Sequence, residues 1–378
     1  MSDEPRTPAT PPYGQGTLAD LASSLLGSLG VPGESNPLGL AETARACLLI
    51  VDGLGWELLR AHPAAAPFLN ELAYNGRPLT AGFPSTTVTS LASLGTGRPP
   101  GSHGLLGYKV AIPGTGRLLN GLHWDNRVDP LTWQPGATIY ERAAAAGVGA
   151  FLVSLPKFEK SGLTMATMRG AAYRPGHSLG ARVARAGAAL RESERALVTV
   201  YTGDLDSTGH VFGSGSDAWY YELGHVDKLA EQLASVLPPG TLLYVTADHG
   251  MVDVPQAARI DMDETFALRT GVALLGGEPR ARHVYAEPGA AADVLATWRE
   301  VLGDHAWVAS REEAIASGWF GPVEPAVADR IGDVVVAATG TAAVVATKSE
   351  PLESSLVGMH GSLTPAEQLV PLLAHGMR

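Results

Sequence analysis

Residues 242–251 read LLYVTADHGM. The opening LLYV is a short, continuous apolar run, the pattern of a strand buried on both faces of a parallel sheet. It breaks off at Asp248, His249 and Gly250. Open parallel sheets bind ligands outside the carboxyl ends of their strands, so an acid and an imidazole at this point stand where chemistry is done. Two other runs end the same way. ACLLIVDGLG (46–55) reaches Asp52, and ALVTVYTGDLDSTGH (196–210) reaches Asp206, with His210 one helical turn later.

Working outward, GAFLVSL (149–155) and DVVVAATG (333–340) are further strand candidates. Between the runs at 196 and 242 lies a segment in which Leu223, Val226, Ala230, Leu233 and Leu237 recur every three or four residues, one face of a packed helix. Strands alternating with helices predict an α/β fold with a largely parallel sheet covered on both sides. Residues 255–330 change rhythm to strand, helix, strand, helix with no acid at a strand end, and are expected to form a small α+β insertion. Residues 1–16, rich in proline, are expected to be a disordered leader, with the catalytic domain over 17–378.

Composition narrows the function. With 45% hydrophobic and 17% charged residues, the 378-residue chain is a globular protein with ample core. A net charge of −11 with no basic stripe argues against a nucleic-acid polymer as partner, while a small phosphorylated substrate stays open. No apolar run is long enough to span a bilayer, so no membrane partner is expected. Cys47 is the single cysteine and is read as a small buried hydrophobe. Without a signal-peptide pattern or an internal disulfide, the cytoplasm is the expected compartment.

Taken singly, an acid after a strand is more often a turn residue or helix cap than a ligand. Three strand ends with one signature point instead to metal. Carboxylates brought a few ångströms apart repel unless cations lie between them, and mixed Asp/His sets suit zinc. Asp204 is read as a turn residue. The nucleophile candidate is in GFPSTTVTSLASLGTG (82–97), where Ser85, Thr86 and Thr87 precede a short helix ended by Gly97. A hydroxyl there has helix N–H groups beside it that can hold an oxyanion. On sequence physics alone, caps and nucleophile remain equally good readings of these hydroxyls.

The motifs LLIVDGLG, FPSTTVTSLASLGTGRPPGSHGL, DSTGHVFG, VTADHGM and GMHGSLTPAEQLVPLL occur in this order over about residues 47–374. Together they resemble the alkaline phosphatase superfamily, most closely its nucleotide pyrophosphatase/phosphodiesterase branch. The resemblance implies an alkaline-phosphatase-like fold and two zinc ions. One would be held by Asp52, Asp248, His249 and the nucleophile, the other by Asp206, His210 and His360. Counting back from Gly97 without gaps makes the nucleophile Thr87, with Thr86 as the alternative. Ser90 stands where the branch has an asparagine that donates to a phosphate oxygen, so Ser90 is the candidate substrate contact.

The implied activity is hydrolysis of phosphate diesters or pyrophosphates through a covalent phospho-threonine. A phosphomonoesterase or phosphonate hydrolase on the same scaffold is the runner-up, and a metal- or nucleotide-binding protein without turnover ranks below it. The C/S-x-P-x-R motif of the related sulfatases is missing around Thr87. His103 is read as structural, Lys157 and Lys160 as solvated lysines, Arg98 as facing away from the site, and Thr364 with Glu367 as a capping box.

Overall fold

The computed structural model describes residues 8–376. Strands Thr241–Thr246, Arg45–Val51, Ala196–Thr202, Gly149–Ser154 and Ala172–Pro175 lie side by side in that order, all parallel. Leu369–His375 adds antiparallel to Thr241–Thr246, and Arg77–Thr80 completes the seven-stranded sheet beyond it. The central strands are uninterrupted Leu, Val and Ile because helices screen the sheet from water. Leu179–Glu192 and Asp217–Val236 pack on each other and on the sheet, while Leu18–Ser28, Thr87–Thr96 and Ile139–Ala145 form a second mutually packed group. Asp217–Val236 buries Leu223, Val226, Ala230 and Leu233, the face its periodicity defines, and Leu237 falls just past its end.

Register decides where the chemistry emerges. Val51 pairs with Thr202 and Ile50 with Thr246, so the three central strands finish flush. Asp52, the helix Asp204–Phe212 and the 247–250 turn therefore leave one edge of the sheet together. Among the described residues no helix is long and apolar enough to cross a membrane.

The insertion is a four-stranded antiparallel sheet in the order Val272–Glu278, Ala281–Ala286, Val334–Ala338, Ala306–Ser310, backed by helix Ala291–Leu302. Two expectations are corrected here. The unit does not end at 330, because its third strand in space is 334–338. That strand, DVVVAATG in sequence, is not part of the large sheet. It resembles one because both its faces are buried. Val334 and Val336 point into a core of the insertion's own, with Val284, Trp298 and Leu302, while Val335 and Ala337 belong to the main core.

The disordered leader expected over 1–16 also changes. Residues 1–7 lie outside the described residues, but from residue 8 the chain is a docked strap. Pro11 is buried, Gly16 accepts from Thr80 N at 2.8 Å, and the Tyr13 hydroxyl donates to Trp319 O at 2.8 Å. The same hydroxyl accepts from Phe83 N at 3.1 Å, so the strap ties the loop preceding Thr87 to the insertion. A proline-rich segment cannot build a ladder of its own, and here it uses a side chain instead. Tyr13→Phe should cost about 1–3 kcal/mol in urea denaturation, the penalty for leaving the Phe83 N–H unpaired. Unchanged stability would show that the strap adds nothing.

Candidate active site

At the flush edge the strand-end acids converge. The ligand atoms of Asp52, Asp248 and His249 lie within 4.8 Å of one another, as do those of Asp206, His210 and His360. The two groups abut through the imidazoles of His249 and His360, stacked with ring centroids 3.6 Å apart. Gly53 makes the approach possible: it has φ +76°, and a Cβ there would lie 3.0 Å from Cβ of Asp206.

Backbone carbonyls orient all three rings. Nδ1 of His210 faces Gly358 O at 2.7 Å, that of His249 faces Gly250 O at 2.9 Å, and that of His360 faces Ser85 O at 2.9 Å. A proton held on Nδ1 leaves the Nε2 lone pair facing the acids, the arrangement of metal-ligating histidines. Nε2 of His210 lies 3.3 Å from Asp206, and Nε2 of His249 lies 3.3 Å from Asp52.

Two carboxylate oxygens, Asp206 Oδ1 and Asp248 Oδ2, are buried without a hydrogen-bond partner. Such orphaned acceptors carry a full desolvation penalty. Divalent cations would satisfy both, and an oxygen/imidazole donor set of this kind fits zinc.

Protons fill that role when metal is not bound. Burial and the neighbouring Asp52 push Asp206 up to about 6. Burial, then Asp52, also raises Asp248 well above the carboxylate range. Burial opposes ionisation of Asp52 too, but hydrogen bonds and charge from His249, with the Tyr201 hydroxyl, outweigh it and hold Asp52 low. Burial would lower His249, yet Asp248 and Asp52 prevail and lift it to about 10. His360 is pushed far down by burial and by the other two imidazoles.

The candidate nucleophile is at the junction. Thr87 is the first residue of helix Thr87–Thr96, and its Oγ1 lies 3.3 Å from His249 Nε2 and 3.4 Å from Asp52 Oδ1. Thr86 is the N-cap residue. Both Thr87 and Leu91, one turn on, line a cavity of about 300 Å³ beside the acids. Ser90 does not. It is wholly buried, one turn from Thr87 on the same side of the helix, and its Oγ has no hydrogen-bond partner. Lys157, read as solvated, is exposed and also lines the cavity mouth, as does Asp204. Arg98 is absent from the lining. His103 is buried between Ser93 Oγ and Leu105 N, and burial pushes it down to about 3, consistent with a structural role.

Sequence reasoning missed the parts that hold this centre together. Tyr201 fixes Asp52 through its hydroxyl. Arg280, from the insertion, makes a two-point ion pair with Glu367 at 2.8 and 2.7 Å, both side chains fully buried. Glu367 then reaches both ligand groups. Its Oε1 accepts from Ser362 N at 2.9 Å, two residues beyond His360, and its carbonyl accepts from Gly250 N at 2.8 Å, next to His249. Thr364 and Glu367 do not form the expected capping box: the Thr364 hydroxyl donates to the Glu367 carboxylate, whose backbone donor is Ser362 and whose main partner is Arg280. The fully buried Arg280 leaves no periodic signal, since its partner is 87 residues away.

A parallel sheet whose strand ends gather two Asp/His groups and a helix-start threonine is the architecture of the alkaline phosphatase superfamily. The chain belongs to its type I phosphodiesterase / nucleotide pyrophosphatase family, whose profile matches residues 46–363. It is 26% identical over 258 residues to human ectonucleotide pyrophosphatase/phosphodiesterase family member 7. That match covers 64% of this chain and 55% of the relative, so the chain spans about half the length of that protein. Murine ectonucleotide pyrophosphatase/phosphodiesterase 5, an inactive variant in complex with AMP, superposes with a TM-score of 0.70 at 19% identity, covering 88% of this chain and 87% of the other. Phosphonoacetate hydrolase from Sinorhizobium meliloti 1021, in complex with phosphonoformate, gives a TM-score of 0.64 at 22% identity, covering 87% and 89%. At these identities the two structures share the fold.

Two outcomes follow from this geometry. Arg280→Met should destabilise the protein by about 3–5 kcal/mol by stranding Glu367, and should weaken zinc binding about ten- to hundredfold. Arg282→Met is the control. Arg282 is equally buried, but it pairs with Glu350 and Val344 O, so its loss should cost stability without touching zinc affinity. Equal affinity losses in both variants would refute the linkage. The second outcome concerns protons. Metal must displace the proton that His249, lifted to about 10, holds at neutral pH, and the protons that the raised carboxyls of Asp206 and Asp248 take up as pH falls. Zinc titration calorimetry in buffers of different ionisation enthalpy should therefore show proton release at pH 7, with apparent affinity falling as pH is lowered. Identical heats in every buffer would contradict it.

Proposed function

We propose that the protein is a two-metal hydrolase of small phosphoric diesters or pyrophosphates, with Thr87 as nucleophile. The observation that carries this is the convergence of six Asp/His ligands in two groups on the Thr87 hydroxyl. Asp52, Asp248 and His249, with Thr87, would hold one zinc ion, and Asp206, His210 and His360 the other. Bound there, the ions would supply Lewis acidity, lowering the pKa of the Thr87 hydroxyl and neutralising charge on the phosphoryl and leaving oxygens.

The residues of the chain supply the rest. The Thr87 hydroxyl gives its proton to solvent, and Oγ1 bonds to phosphorus as the P–O bond to the leaving alcohol breaks. The alcohol oxygen keeps the electron pair and is protonated by water. A water molecule then adds to the same phosphorus, the bond to Thr87 breaks, and the threonine recovers a proton. Thr87 begins a ten-residue helix, whose N-terminal field favours the negative charge that gathers beside it. Tyr201 keeps Asp52 ionised and aimed, and Glu367 keeps the loops carrying His249 and His360 in register.

A diester is the favoured substrate because no arginine lines the cavity to take the second charge of a monoester. With zinc-loaded protein, bis-(p-nitrophenyl) phosphate should be turned over about tenfold better than p-nitrophenyl phosphate in kcat/KM, a difference of about 1.4 kcal/mol. Thr87→Ala should lose turnover by several orders of magnitude while elemental analysis still finds close to two zinc ions per chain, since the six other ligands remain. A preference for the monoester would move the enzyme to the phosphomonoesterase class, and full activity in a chelator-stripped protein would end the two-metal reading.

A further inference from the structure

We propose that Gln368 is a positioning residue for the reaction: its side-chain amide locks the loop that presents Thr87 onto the loop that presents His360. This rests on the reading of Thr87 as the attacking group. Gln368 is buried and ends the short helix Pro365–Gln368. Its carbonyl accepts from Ala81 N at 2.8 Å, which carries the ladder between Leu369–His375 and Arg77–Thr80 one step further. At Gly82 the ladder stops, because the chain turns there with φ +103°, a value that favours glycine. The N–H and carbonyl of this buried residue then need other partners. The Gln368 amide supplies both, with Oε1 accepting from Gly82 N at 3.1 Å and Nε2 donating to Gly82 O at 2.8 Å. A side-chain amide offers the same neutral donor and acceptor pair as the peptide group it replaces in the ladder.

The second Nε2 proton goes to Ser362 O at 2.9 Å, just past His360. That carbonyl is a shared node, since the Ser85 hydroxyl also donates to it, at 2.8 Å. Ser85 commits its other polar groups to the same loop. Its N–H donates to Gly361 O at 3.0 Å, and its carbonyl faces His360 Nδ1 at 2.9 Å. From the opposite side the Tyr13 hydroxyl accepts from Phe83 N. Residues 82, 83 and 85 are thus each fixed on the way to Thr87, whose Oγ1 is held 3.3 Å from His249 Nε2. Gln368 lies outside both loops and bonds each of them. Without its amide the Thr87 loop can shift against the His360 loop while every Asp/His ligand keeps its own side chain. A displacement of about 1 Å in a reacting atom can cost about a hundredfold in rate.

The test compares Gln368→Met, which keeps the length of the side chain and loses the amide, with Arg282→Met, which breaks a buried pair elsewhere. In hydrolysis of bis-(p-nitrophenyl) phosphate by zinc-loaded enzyme, Gln368→Met should lose about tenfold to hundredfold in kcat, with KM within about twofold and zinc content unchanged. Hydrogen exchange read by mass spectrometry on the same samples should show peptides covering residues 82–87 exchanging at least about tenfold faster, while strand Arg45–Val51 keeps the parent rate. Arg282→Met, assayed well below its unfolding midpoint, should keep the parent kcat and the parent exchange at 82–87. Should Gln368→Met not fold, Gln368→Asn, whose shorter arm withdraws the amide from Gly82, is read in the same way. Unchanged kcat or unchanged exchange at 82–87 overturns the proposal, and so does an equal loss of kcat in Arg282→Met, the mark of a general loss of stability. If the parent protein hydrolyses no diester, the functional reading fails, and exchange at 82–87 still decides whether Gln368 holds the loop.

Discussion

Three carboxylates crowded at one sheet edge are the constraint that the rest of the molecule answers to. Asp52, Asp206 and Asp248 are brought together by backbone register alone, because the central strands end level and Gly53 lets the chain pass against Asp206. Repulsion between buried like charges is severe, and a fold that tolerates it needs either protons or cations in the gap. The proton arrangement is visible in the opposed shifts, with Asp52 held ionised while Asp206 and Asp248 are lifted. The histidines make the cation arrangement available, each turned by a backbone carbonyl so that Nε2 meets the acids. A site with that much internal stress is useful only if its geometry cannot relax.

The insertion supplies the restraint. It looks peripheral in sequence, with its own core around Trp298 and Val336, but the same strand faces the main core with Val335 and Ala337. Arg280, just before the strand Ala281–Ala286, reaches through that contact to Glu367. A buried ion pair is seldom a large net source of stability. Its value here is geometric, because Glu367 touches the backbone beside both His249 and His360, one from each ligand group. Gly250 is part of the same fit, since a Cβ there would fall 2.0 Å from Ala366 O. The strap at Tyr13 fastens the third loop, the one before Thr87, to the insertion.

What was legible in the sequence follows from range. The parallel strands and the acids after them could be read because apolar runs and their ends are local patterns, and the Asp206–His210 pair because it spans one helical turn. His360 had no local sign: it follows a two-residue strand, Gly358–Met359, and only motif resemblance pointed to it. The strand 334–338 was assigned to the wrong sheet because burial on both faces looks the same in either. Arg280, Tyr13 and Tyr201 act through hydrogen bonds to residues distant in sequence, and no periodicity encodes those.

Chemistry and selection are drawn from different parts of the chain. Asp52, Asp248 and His249 follow directly on strands that form the centre of the core, so they cannot move without disturbing packing. Most of the cavity wall comes instead from Leu122 and from residues 152–173, and it meets the centre mainly at Thr87, Asp52 and Asp206. Leu91 is the exception, sharing a helix with Thr87. Changing a wall leucine alters which organic group loses its water, at about 25 cal/mol per Å² of apolar surface, while the charges at phosphorus stay as they were. The centre can therefore remain fixed while the fitting partner changes. In this chain the wall mixes leucines with the rings of Phe158, Tyr173 and Tyr201, and carries His123, Lys157 and Asp204 at exposed positions. Burial discriminates by size and polarity and only weakly between similar groups, so the wall sets what fits and the strand-end groups set what reacts.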